Sequence, residues 1–234
     1  MNIAVIIYAI LAGVLPSLLW LWFWLREDNL HPEPRSLIAI TFISGCLSII
    51  IAVVLEQFSS NFVSSDNAKY LTWAFIEEVV KYFAFAIVIL HSRYLDEPID
   101  AIIYCITVAL GFAAIENTLF ILSPLVNGEI AKSIVTGSLR FIGSSLVHVV
   151  SSAFIGFMIG ISFYKSNLLK MISTVFGIII ATLLHTSFNL AIISASSVSA
   201  LKIFGWVWCA VIILIILFEE IKAIAPKEST NKIS

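Results

Sequence analysis

Charge is what this chain has least of. Only 12% of its 234 residues are Asp, Glu, Lys or Arg, against 60% hydrophobic residues and a mean hydropathy of +1.05. A soluble domain carries about 25% charged residues. That excludes a soluble globular domain and leaves a polytopic membrane protein. The net charge of −2, with no stripe of basic residues among aromatics, excludes a nucleic-acid partner. Cysteine is also scarce. Cys46, Cys105 and Cys209 each sit inside an apolar stretch at no ligand spacing and read as packing residues. The chain has no glycine-rich phosphate loop, no dinucleotide fingerprint and no serine in a nucleophile-elbow context, which argues against nucleotide chemistry and serine catalysis. No basic segment precedes the first apolar run, so that run reads as a retained helix rather than a cleaved signal. No internal repeat or low-complexity tract stands out.

What the chain has in abundance is apolar runs of about 20 residues, the length that spans a bilayer. They predict an all-α bundle of seven spans near 3–25, 36–58, 70–91, 99–122, 138–164, 168–193 and 200–221, separated by polar or proline-rich breaks. Residues 123–140 could hold an eighth, short re-entrant or interfacial element. Residues 1–222 read as one transmembrane domain and 223–234 as a short polar tail. With the N-terminus outside, the inner loops and tail hold Arg26, Arg35, Arg93, Lys165, Lys170, Lys222, Lys227 and Lys232. The outer loops then hold Lys69, Lys132, Arg140 and Lys202. This excess favours an outside N-terminus and a cytoplasmic C-terminus.

The few ionisable residues inside the spans are the informative ones. They are Glu77, Glu78 and Lys81 in WAFIEEVVKYF, Glu116 beside Asn117 in GFAAIENTLF, His148 in SSLVHVVSSAF, and His185 followed one turn later by Asn189 in LLHTSFNL. Each such group costs about 2.5–3.5 kcal/mol to insert, so a set of them marks a functional site by default. At about 1.5 Å per residue Glu77, Glu78, Glu116, His148 and His185 lie roughly 9–15 Å below the outer boundary. Independent packing accidents would scatter in depth, whereas a shared layer implies one hydrated cavity open to the outer face. Read structurally, Glu77 or Glu78 with Lys81 is an ion pair that fixes helix packing; this leaves the second carboxylate unexplained. Likewise Glu116 could be an interfacial acid, and either histidine a satisfied packing residue.

Taken in order, these residues resemble the PrsW family of membrane-embedded proteases, relatives of the CAAX prenyl endopeptidases. Its EExxK motif is matched by Glu77-Glu78-Val-Val-Lys81, and its FxxxE motif by Phe112 through Glu116 and Asn117. His148 and His185 match its later histidines, with Asn189 completing an HxxxN pattern. The segments Pro32-Glu33-Pro34 and Asp96-Glu97-Pro98-Ile-Asp100 resemble the family's cytoplasmic signatures. Ser152 stands where a second histidine one turn after the first would fall. The resemblance implies cleavage of a single-pass, membrane-anchored protein on its extracytoplasmic side, such as site-1 cleavage of an anti-sigma factor in stress signalling.

Two mechanisms fit these residues. In a metal-free scheme, Glu77 or Glu78 activates water with help from His148 or Glu116, and His185 and Asn189 donate to the oxyanion. In a metal scheme, Glu116, His148 and His185 hold one Zn²⁺ and Glu77 is the base. An ion- or proton-coupled transporter is the competing class, because such residues also build proton relays, but neither repeated halves nor broken helices are evident. A non-catalytic scaffold that binds a partner helix is the third.

Overall fold

The computed structural model describes residues 3–27, 31–194 and 197–224, with the backbone alone at 197–200. The polar tail expected from 223 lies outside the described residues beyond 224. Among the described residues the chain is all α-helical. In chain order the helices are α1 (Ile3–Trp24), α2 (Arg35–Ser59), α3 (Asp66–Val88), α4 (Pro98–Val126), α5 (Ile130–Leu139), α6 (Ser145–Ile161), α7 (Asn167–Ile193) and α8 (Ser197–Lys222). A π-helical turn, Arg140–Ser144, joins α5 to α6.

Among the described residues six helices are long and apolar enough to cross a membrane: α1, α2, α4, the continuous helix Ile130–Ile161, α7 and α8 from Leu201. The protein is therefore a multi-pass membrane protein. At 23 residues α3 matches the others in length, and it differs by carrying Glu77, Glu78 and Lys81 midway. The seven expected spans correspond to these six helices and α3.

Residues 123–140, where the sequence leaves room for an extra element, hold the end of α4, which runs on through Val126, and α5, which starts at Ile130 and continues through the π turn into α6. The chain reverses at Gly128, whose φ of 77° is left-handed backbone that glycine adopts without strain. Ser133 then donates to the Ile121 carbonyl at 3.0 Å, tying α5 to the end of α4. Polar residues such as Glu129 and Lys132 make this stretch look like a loop, but they pair with each other at 2.8 Å on the helix surface.

Helix α4 is the axis of the bundle. Every residue from Pro98 to Ala114 is buried, and α1, α2 and α6 pack against it. Covered on all sides, it shows no apolar stripe in its sequence. Its start is set by Pro98 in the first turn and by a capping box in which Asp100 accepts the Glu97 N–H at 2.6 Å. Its crossings are close because small residues stand there. A Cβ on Gly45 would lie 2.1 Å from the Val108 carbonyl oxygen, and one on Gly111 would lie 2.0 Å from that of Phe42. Such glycines let backbones touch where lipid provides no hydrophobic drive for association.

These contacts predict that Gly45→Val and Gly111→Val each push α2 off α4. The expected cost is about 1–3 kcal/mol, read as a lowered unfolding temperature in detergent. Gly205→Ala, at a position with nothing within 4 Å, is the control and should not change it. An unchanged temperature for both valine variants would refute the close crossing.

Candidate active site

Four helices bring the expected residues to one place. Helix α3 supplies Glu77, Glu78 and Lys81, and α4 supplies Phe112, Glu116 and Asn117. His148 comes from α6, and His185 and Asn189 from α7. Lys81 is 2% exposed, and a buried ammonium requires partners. Its Nζ donates to Glu78 Oε1 at 2.6 Å and to His148 Nδ1 at 3.0 Å, and it lies 4.8 Å from the centroid of the Phe112 ring.

The tautomers follow from the partners. An ammonium only donates, so His148 Nδ1 accepts and its proton sits on Nε2, which donates to Glu116 Oε2 at 2.8 Å. His185 Nδ1 faces Glu78 Oε1 at 2.9 Å, which places that ring's proton on Nδ1 and leaves the Nε2 lone pair free. Ser152 completes the set by donating to Glu78 Oε2 at 2.9 Å. Glu78 is thus fully buried and bonded at both oxygens.

Glu77 differs. Its Oε2 is buried with no hydrogen-bond partner among the described residues. It lies 3.8 Å from His148 Nδ1, 3.8 Å from His185 Nε2 and 3.9 Å from Lys81 Nζ. The two lone-pair-bearing imidazole nitrogens therefore converge on this one oxygen. The adjacent acids, interchangeable in sequence, have separate roles: Glu78 anchors Lys81 and His185, and Glu77 offers an unused oxygen.

Glu77, His148 and His185 each present a ligand atom within 4.8 Å of the others. The metal set expected from sequence was Glu116, His148 and His185. Geometrically it is Glu77 that groups with the two histidines, while Glu116 is held by Arg140 Nη2 and by His148 Nε2. Arg140, counted above as an outer-loop cation, is inside the helix and faces the site. Sequence reasoning missed it; the one available signal was a lone arginine within an otherwise apolar stretch. It also missed Ser152 as a ligand of Glu78 and Ser145 as the acceptor of Asn117 Nδ2 at 2.9 Å.

A cavity of about 330 Å³ opens beside these groups, lined by Glu56, Trp73, Glu77, Glu116, Arg140, His148, His185 and Asn189. Asn189 is half-buried, and its amide has no hydrogen-bond partner among the described residues. Glu56 and Trp73 also line a neighbouring, more open pocket with Gln57, Ser60 and Asn61 at the end of α2.

Fold and site together define a membrane-embedded protein with a buried carboxylate–imidazole centre beside a cavity. Comparison narrows this class. The model for the PrsW family intramembrane metalloproteases matches residues 33–218. The chain belongs to the PrsW family of intramembrane proteases. It is 31% identical to Protease PrsW of Geobacillus kaustophilus over 153 residues, 64% of each chain. Over 190 residues it is 24% identical to Protease PrsW of Bacillus subtilis, covering 80% of this chain and 83% of that one. Protease PrsW of Oceanobacillus iheyensis is 28% identical over 189 residues, with the same 80% and 83% coverage. No solved structure matches the chain.

The two acids are separable by experiment. Glu78→Gln strips charge from a buried network and should cost about 3–5 kcal/mol of stability. Glu77→Gln, at an oxygen that bonds nothing, should unfold close to wild type. Thermal unfolding of both in detergent checks the contrast, and equal losses would contradict the division of roles.

Proposed function

We propose that this chain is a peptidase that hydrolyses a peptide bond of a single-pass, membrane-anchored protein at or near the extracytoplasmic side of the bilayer. The observation that carries this reading is the buried Glu77 Oε2, without a hydrogen-bond partner among the described residues, lying 3.8 Å from one nitrogen of each imidazole beside a cavity. A packing ion pair leaves no such oxygen.

The residues present fit a zinc ion. One carboxylate oxygen and two imidazole nitrogens are the donors such a catalytic site uses, with a further position left open. Each imidazole has its other N–H held by a carboxylate, Glu116 for His148 and Glu78 for His185, the outer arrangement that orients metal-binding histidines. Glu77, His148 and His185 would hold the ion, which when bound polarises a carbonyl and acidifies water. The orphaned oxygen supports this reading over the metal-free one. The metal-free scheme has one observation in its favour: Lys81 Nζ already engages the His148 Nδ1 lone pair at 3.0 Å. In that scheme Glu77 Oε2 itself takes the proton of the attacking water. In both, Asn189 is the donor placed one turn from His185 on the cavity wall to hold the developing oxyanion.

The family resemblance supports an anti-sigma factor as substrate, and the excess of Lys and Arg in the inner loops supports an outside N-terminus. The pocket at the end of α2, polar through Gln57, Ser60 and Asn61, is then the water path to the site from the outer face.

Purified protein assayed on a single-pass substrate tests the activity. Glu77→Gln should abolish cleavage, and Asn189→Ala should cost roughly 10²–10³ in rate. With zinc, active protein holds about one equivalent of metal, loses activity on chelation and regains it with zinc. Activity that survives chelation selects the metal-free scheme. Full activity in Glu77→Gln would reject the peptidase site altogether. For sidedness, an impermeant thiol reagent should label a cysteine probe at position 66 in intact cells and spare one at 96; the reverse pattern would put the site on the cytoplasmic side.

A further inference from the structure

Arg140 is a charged group of the site that no motif accounts for. Its side chain is only 15% exposed. A guanidinium held among apolar helices needs full compensation. Here Nη2 donates to Glu116 Oε2, Nε donates to Asn117 Oδ1 at 2.6 Å, and the guanidinium lies 4.0 Å from the centroid of the Phe120 ring. Asn117 is itself fixed by its bond to Ser145.

The backbone explains how Arg140 reaches this place. It begins the π turn, in which the Ser145 N–H bonds to the Arg140 carbonyl, five residues back. Arg140 and His148 are eight residues apart. At about 100° per residue they would diverge by about 80° on an unbroken α-helix. The extra residue of a π turn cuts the effective spacing to about seven, so the two come within about 20° of one face. Neighbouring helices hold the turn. Trp20 Nε1 of α1 donates to the Phe141 carbonyl at 3.2 Å, and Phe204 of α8 packs so closely that a Cβ on Gly143 would meet its ring at 2.0 Å.

We infer that Arg140 is a positioning residue: from the π turn it holds the Glu116 carboxylate, which accepts the His148 Nε2–H and so fixes the ring with Nδ1 against Lys81 and near Glu77. The charge of the guanidinium offsets that of Glu116, and the shared Oε2 atom receives hydrogen bonds from both Arg140 and His148. The π turn is thus a device that adds a third layer behind the site: Arg140 orients Glu116, and Glu116 orients His148. The catalytic consequence rests on the peptidase reading; the orientation of His148 does not.

The test therefore has two arms. In the first, ¹⁵N-histidine NMR of the full-length protein reads the His148 tautomer and its Nε2–H at one pH. Wild type should show the proton on Nε2 in a strong hydrogen bond to Glu116. In Arg140→Met, with Lys81 still donating to Nδ1, that hydrogen bond should weaken, its Nε2–H resonance shifting upfield and exchanging faster with water. Where Arg140→Met does not fold, Arg140→Lys, which keeps a cation but not the planar fork, carries the comparison with an intermediate spectrum. A folded variant with the wild-type His148 spectrum would overturn the inference. The second arm is a double-mutant cycle on cleavage. Arg140→Met should lower kcat about 10–100-fold with KM little changed, as for partners behind a site's ligands. Combined with Glu116→Gln it should cost no more than Glu116→Gln alone, because both act through one path. Losses that multiply would make Arg140 a separate structural group. If wild type itself cleaves nothing, the peptidase reading fails and the NMR arm still decides the role of Arg140.

Discussion

Lys81 is an ammonium deep in a helical bundle, only 2% exposed, so bulk water does not solvate it. Its charge must be met by protein atoms, and the groups that meet it organise the rest. Glu78, one turn back, takes the short contact. That engagement spends Glu78 as an acid and turns it into a fixed acceptor for His185 and Ser152. The same ammonium donates to His148 Nδ1 and so sets that ring's tautomer. The buried cation thus determines which nitrogen of His148 carries a proton and which of the two adjacent carboxylates remains unused.

The bundle makes this possible by close approach. Helix α4 is enclosed by α1, α2 and α6, and glycines at the α2–α4 crossing remove the side chains that would hold those backbones apart. Glu116 and Phe112 are thereby fixed relative to α6, where His148 lies against the Phe112 ring with centroids 5.6 Å apart. Rigid helices rather than loops carry all the polar groups, so the geometry is set by helix packing. A centre built this way has its orienting groups in place before any substrate arrives, which is what electrostatic preorganisation requires.

Chemistry concentrates at one atom. Glu78 has donors at both oxygens and Glu116 has two at Oε2, whereas Glu77 Oε2 is buried with none among the described residues. A buried polar atom without a partner is costly and calls for an explanation such as a catalytic role or a bound water or ion. Whether that oxygen ligates zinc or receives a proton, the surrounding groups act in the same way. Glu78 and Glu116 hold the far sides of the two imidazoles, and Asn189 waits on the cavity wall.

By itself the sequence determined the solvent, the helix count and the ionisable residues that matter. Their types are rare in apolar spans, and their spacing along each helix fixes their depth without any knowledge of neighbours. It could not distinguish Glu77 from Glu78, because adjacent residues share depth and differ only in direction, and direction has meaning only once α6 and α7 are placed beside α3. It read residues 123–140 as a possible separate element because Glu129 and Lys132 lower the local hydropathy, although they pair on a helix surface. Above all it could not see Arg140. Helical periodicity assumes a constant turn, and a π turn shifts the phase by a residue with no mark in composition. Only the packing of Trp20 and Phe204 around that turn decided that an apparent loop cation would stand behind Glu116 and pair with it, leaving Glu77 as the carboxylate grouped with the two imidazoles.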